Sequence, residues 1–140
     1  MTREIKFRGC SCDEWYYGNL YIRKNEEFGD YAYIIGYTEN LPTTIVDINT
    51  IGQFTGLYDN NGKEIYEGDI IRMVWTDYVG KGKNKIPVLR FVENCPPKVI
   101  SYRNGAFGYV NFEAEWLPIL DDYCVVIGNI YDNPELLKQK

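Results

Sequence analysis

A chain of 140 residues with 45% apolar and 25% charged side chains has the size and composition of one globular domain rather than of a disordered segment. Its net charge of −5 opposes non-specific coating of nucleic acid, and the lack of histidine excludes Ser-His-Asp and Cys-His catalysis and histidine zinc sites. No run of about 18 apolar residues occurs, and the charged opening Met1–Arg8 lacks the apolar core of a signal peptide. The expectation is therefore a cytoplasmic protein whose cysteines, Cys10, Cys12, Cys95 and Cys124, are free thiols.

Aromatic residues make up 16% of the chain, thirteen of them tyrosine, and tyrosine suits a pleated, half-buried surface. Short apolar or alternating runs, separated by Gly, Asn, Asp and Pro, predict strands at Ile5–Arg8, Trp15–Ile22, Tyr31–Tyr37 and Gln53–Leu57. Further strands are predicted at Ile70–Trp75, Val88–Val92, Val99–Tyr102, Phe107–Val110 and Cys124–Ile127. Helical spacing is weak everywhere except near Thr44–Ile51 and at the C-terminus. Many short strands with few helices favour an antiparallel barrel or sandwich.

Two hairpin turns are specified by Asn-Gly, which supplies positive φ: Asn61-Gly62 and Asn104-Gly105. Glu67-Gly68-Asp69 predicts a turn feeding a buried strand at Ile70. At the end of the chain, Asn133 as N-cap, Pro134 at the first helical position and Glu135 in the first turn predict a short helix, Pro134–Lys138. The polar Gly/Lys stretch 81–85 and the break at Pro96-Pro97 mark Tyr78–Lys98 as the loop-rich part. A single compact domain over 1–140 is expected, with sub-parts 1–50 (N-terminal strands) and 51–140 (the barrel-containing region).

Several motifs fall short of the chemistry they suggest. Cys10-Ser11-Cys12 with Cys95 and Cys124 lacks the paired spacing of zinc knuckles. Asp59-Asn60-Asn61-Gly62-Lys63-Glu64 misplaces the glycine and final ligand of a calcium loop. Glu64, Glu67 and Asp69 invite a carboxylate-dependent hydrolase reading, but nothing in the sequence fixes their separation. No cofactor and no metal are expected.

Charge is unevenly spread: residues 76–103 carry 6 basic and 2 acidic groups, whereas the segments on either side are acidic. Within the basic segment Trp75, Tyr78, Lys81, Lys83, Lys85 and Arg90 interleave aromatics with cations, as single-strand binders do. The competing reading is a solvated lysine loop beside core aromatics. These six residues are the interaction candidates.

The run from Gly52 to Ile71, GQFTGLYDNNGKEIYEGDII, together with the opening Arg3-Glu4-Ile5-Lys6-Phe7-Arg8 and the close from Val126 to Leu137, VIGNIYDNPELL, resembles the YopX family of phage and prophage proteins in the expected order. The resemblance implies a mainly β protein with a small SH3-like barrel, from a phage or prophage, and lends no catalytic residues. Cys10-Ser11-Cys12 and residues 76–98 depart from the family pattern, so an activity private to this chain is expected there.

The expected function is a non-enzymatic accessory protein that binds another macromolecule, foremost a phage or host protein. A single-strand nucleic-acid binder using the lysine loop 81–85 is the alternative, and the carboxylate-dependent hydrolase ranks below it. No membrane partner is expected, and homo-oligomerisation stays open.

Overall fold

The computed structural model describes residues 4–36, 43–103, 105–110, 116–118 and 123–138. The chain is mainly β and antiparallel, and it divides into two compact units, Met1–Gly56 and Leu57–Lys140. No helix among the described residues is long and apolar enough to cross a membrane.

The first unit contains β1 (Phe7–Ser11), β2 (Glu14–Arg23), β3 (Tyr31–Ile35), β4 (Thr43–Val46) and the start of β5 (Gly52–Tyr58). They lie in the order β4-β3-β2-β1-β5. Strand alternation sends Tyr16, Leu20 and Ile22 to the inner face, onto a core of Ala32, Ile34 and Val46. The β1–β2 turn is the two-residue loop Cys12-Asp13, whose φ angles of 52° and 68° are those of a type I′ turn. Asn25 organises the β2–β3 loop: its Oδ1 accepts from the amides of Glu27 and Phe28, both at 2.9 Å.

Glycine lets this sheet curl. A Cβ on Gly9 would come within 2.5 Å of Val46 Cγ2, so its absence lets the end of β4 approach β1. There the Asp47 amide donates to the Cys10 carbonyl at 2.8 Å. That single bond replaces a ladder, and no sheet among the described residues closes on itself. The expected mainly β, antiparallel class is present, as open sheets without a closed barrel among the described residues.

The second unit holds the end of β5, then β6 (Glu64–Tyr66), β7 (Asp69–Val79), β8 (Ile86–Phe91), β9 (Lys98–Val99), β10 (Ser101–Arg103), β11 (Ala106–Val110), β12 (Trp116–Pro118) and β13 (Cys124–Asn129). β7 is central: β13 pairs with Asp69–Met73 on one edge, while β9 and then β8 pair along the other. β10, β11 and β12 form a separate three-stranded sheet. The core is Ile65, Ile71, Ile100, Phe107, Tyr109, Cys124 and Val126, with Leu57, Met73 and Leu117 packed against it.

Two buried carboxylates bind backbone rather than solvent. Asp59, only 3% exposed, accepts from the amides of Asn61 and Lys63 through Oδ1 and from the amide of Val126 through Oδ2, each at 2.9 Å. Asp69 accepts from the Tyr66 amide at 2.7 Å, and Gly68 before it takes a φ of 92°. The predicted turns at Asn61-Gly62 and Glu67-Gly68-Asp69 are both present, Gly62 at φ 80°. Arg103 and Ala106 pair across the other predicted hairpin with Gly105 at φ 82°; Asn104 itself lies outside the described residues, as does Tyr37 at the end of the third predicted strand.

Three expectations change. The supposed loop-rich segment 78–98 is mostly hairpin, because β7 runs to Val79 and β8 resumes at Ile86. Around Thr44–Ile51 the chain forms β4 and a three-residue 3-10 helix, Ile48–Thr50, capped by the Asp47 side chain. The C-terminal helix is a 3-10 turn, Pro134–Leu137, and Asn133 does not cap it through its side chain. Instead Asn133 Oδ1 accepts backwards from the Asn129 amide at 3.2 Å, which leaves the turn without the bond that would extend it.

All four cysteines are thiols rather than disulfides, Cys124 in the core, Cys12 exposed, and Cys10 and Cys95 half-buried. Among the described residues no group of three His, Cys, Asp or Glu side chains is placed to hold a metal ion. Reductant and chelator are accordingly expected to leave the melting temperature unchanged, and a fall on chelation would reveal a structural metal. In urea unfolding, Asp59→Ala is expected to cost about 1–3 kcal/mol, because it strands the buried Val126 amide. Gly62→Val, whose Cβ meets no neighbour, should cost roughly 1 kcal/mol through its positive φ alone.

Candidate functional site

The candidate residues of the basic segment lie on one structural feature, the hairpin of β7 and β8. As far as Val74 the strand is buried or half-buried, since β13 and the core cover it. The β13 ladder ends at Met73↔Cys124, and from Trp75 onwards most side chains of the hairpin are exposed. Six residue pairs, from Val74↔Phe91 to Val79↔Ile86, hold the ribbon together. Its turn depends on glycine: a Cβ on Gly80 would lie 2.8 Å from the Asn84 carbonyl oxygen, and Gly82 takes a φ of 62°. Pro87, which has no N–H, is accommodated because β8 is the edge strand of its sheet.

Directly paired residues share a face of a ribbon. One face carries Trp75 with Arg90, Asp77 with Val88 and Val79 with Ile86; the other carries Thr76 with Leu89, Tyr78 with Pro87, and Phe91. Trp75 is 47% exposed, Tyr78 62% and Ile86 65%, so large apolar groups meet water on both faces. The six candidates therefore divide. Trp75 and Arg90 lie side by side, Tyr78 points the other way, and Lys81, Lys83 and Lys85 sit in and after the turn, all exposed. Arg90 is partly engaged within the ribbon, because its Nε donates to Asp77 Oδ2 at 2.7 Å, which neutralises part of its charge towards a polyanion. On the opposite face the Arg72 guanidinium lies over the Phe91 ring, 4.0 Å from its centroid.

The acidic trio does not converge on a reactive site. Asp69 is buried and takes the Tyr66 amide, while Glu64 Oε1 accepts from the Tyr66 hydroxyl at 3.1 Å. Of the two, Asp69 fixes the β6–β7 turn, whereas Glu64 bonds within β6.

A second surface lies on the outer face of the first unit. Opposite in parity to the core residues Leu20 and Ile22, β2 sends out Tyr21 and Arg23, which pair with Tyr33 and Tyr31 of β3; Ile45 of β4 completes the row beside Tyr33. Tyr21 is 54% exposed, and its ring lies 6.0 Å from that of Tyr33, tilted by 47°. Arg23, Asn25, Tyr31, Tyr33 and Ile45 line a depression of about 380 Å³. Ile45 also borders a neighbouring depression of about 470 Å³, where Cys10, Cys12, Asp13 and Asp47 are found. Lys24 is not free to neutralise this end of the sheet, since it bonds Asp30 at 3.1 Å and through that bond holds the Asp30 carboxyl below its usual range. The sequence reading missed the platform because it counted tyrosines as strand formers; the signal was the i, i+2 spacing of Tyr21 with Arg23 and of Tyr31 with Tyr33.

No curated protein matches this chain. Among solved structures it is similar to protein EF1440 from Enterococcus faecalis, at 24% identity and a TM-score of 0.52, with 98% of this chain and 100% of that one covered. That likeness supports the fold alone. The YopX protein family matches residues 6–138, nearly the whole of the sequence, including the central run whose turn glycines and buried aspartates were traced above. This chain belongs to the YopX family.

Proposed function

We propose that this chain is a non-enzymatic accessory protein of a phage or prophage that acts in the bacterial cytoplasm by binding another protein through the β7–β8 ribbon. The observation that carries the reading is the exposure of large apolar side chains on both faces of a two-stranded ribbon. An isolated hairpin is at best marginally stable in water, and exposed apolar surface of this kind is typical of a surface that a partner covers. Within this reading the strands of the second unit form an open, SH3-like arrangement whose longest hairpin carries the binding surface. Trp75 and Tyr78 supply the large aromatic contacts that dominate protein interfaces.

The nucleic-acid reading retains one supporting observation, the three exposed lysines at the ribbon's turn. It is weakened by the Arg90–Asp77 ion pair and by the placement of Trp75 and Tyr78 on opposite faces, which prevents one strand from stacking on both. A hydrolase reading draws no support from a trio in which Asp69 holds the Tyr66 amide and Glu64 the Tyr66 hydroxyl.

The double variant Trp75→Ser, Ile86→Ser changes only exposed positions, so an unchanged far-UV spectrum is expected. Used as bait in affinity capture from host cells expressing the phage genes, the unmodified chain should retain a protein partner, a second copy included, that the double variant loses. Capture unaffected by the double substitution would contradict the reading. So would micromolar single-strand oligonucleotide binding whose salt slope falls by about 0.7 for each of Lys81, Lys83 and Lys85 replaced by Ala.

A further inference from the structure

We propose that the lysine turn of one chain docks on the tyrosine platform of a second copy, so that copies associate head to tail. The inference rests on the ribbon being a protein-binding element, and it names the partner.

Charge complementarity is the first argument. Residues 80–92 contain no carboxylate, and Lys81, Lys83 and Lys85 are exposed with no ion-pair partner among the described residues. The platform itself is lined by no carboxylate, but carboxylates flank it. Asp13 and Asp47, both exposed, line the depression that adjoins it across Ile45, and Glu26 and Glu27 are exposed in the loop after β2. Arg23 is the one cation that lines the platform, and it repels lysine ammonium groups. The lysines are thereby directed to the Asp13 and Asp47 side. A guanidinium has five donors, and the glycine-rich turn offers it backbone carbonyls.

Apolar matching is the second argument. Val79 and Ile86 flank the lysine turn as a directly paired, exposed couple. They would cover Ile45 and the tyrosine rings, while lysine stems lie along the apolar surface and carry their ammonium groups on to the carboxylates. A nucleic acid on the platform would instead face this carboxylate rim. Both surfaces are solvent-exposed in the single chain, so neither must be uncovered first.

Because tip and platform are different patches, each docked pair keeps one free tip and one free platform. Association of this kind is open-ended unless the rotation closes a ring, and it weakens with salt as exposed charges are screened.

Sedimentation velocity on the full chain tests this. The unmodified protein should show a mass that rises continuously with concentration and falls with added salt. A tip variant (Lys81→Ala, Lys83→Ala, Lys85→Ala) and a platform variant (Tyr31→Ser, Asp13→Asn) should each stay monomeric with unchanged far-UV spectra. Mixed together, they retain one intact tip and one intact platform, and should form a one-to-one dimer and nothing larger. A chain that is monomeric at every concentration overturns the inference, even if the ribbon still captures a different protein, in which case the broader reading stands. Self-association that both variants retain, or that mixing fails to restore, also overturns it.

Discussion

Three backbone amides, from Asn61, Lys63 and Val126, converge on the carboxylate of Asp59, and much of the second unit is arranged around that meeting. Two of the amides belong to the exposed β5–β6 turn, while that of Val126 is buried and would otherwise lack its acceptor, a cost of about 1–3 kcal/mol. The third belongs to β13, more than sixty residues further along the chain. One aspartate thus joins a local turn to a distant strand, and β13 in turn pairs with the first half of β7. Asp69 repeats the device on the next turn, bonding the Tyr66 amide while its own carbonyl accepts from Ile100.

This arrangement secures β7 only as far as the core extends. Ile70, Ile71 and Val74 are buried, and beyond them the strand continues with β8 as its only described ladder partner. The ribbon is consequently an extension of a fixed strand rather than a mobile loop. Its root is rigid and its outer part is held by a single ladder, a combination that presents apolar groups to a partner at low ordering cost. The first unit achieves a comparable presentation differently: a curled sheet buries its inner face and leaves Tyr21, Tyr31 and Tyr33 on the outer one.

Much of this was legible in the residues. Asn61-Gly62 and Glu67-Gly68-Asp69 announce their turns because glycine alone takes those φ angles without strain. The strand-rich class followed from tyrosine content and short apolar runs. Less legible were features set by pairing across long separations. Residues 78–98 read as loop because lysine, glycine and proline dominate them, yet the ladder to β7 imposes strand on Ile86–Phe91. Cys12-Asp13 gives only a weak turn signal, since Asp tolerates positive φ but Cys does not favour it and no Gly follows. The C-terminal cap failed because Asn133 found a nearer amide behind it. As for the sites, the basic segment was found from composition, but strand parity decided which candidates share a face, and parity needs the register.

The claim that the ribbon stands apart from the core is tested most directly by amide hydrogen exchange on the dilute protein. The account predicts that the hydrogen-bonded amides within Ile70–Val74 exchange only through global unfolding and speed up in Asp59→Ala. Those within Thr76–Val79 and Val88–Arg90 should exchange faster, through a local opening whose rate the same substitution leaves unchanged. Equal protection in the two halves of β7, with equal sensitivity to Asp59→Ala, would show the ribbon to be part of the core and would contradict the account.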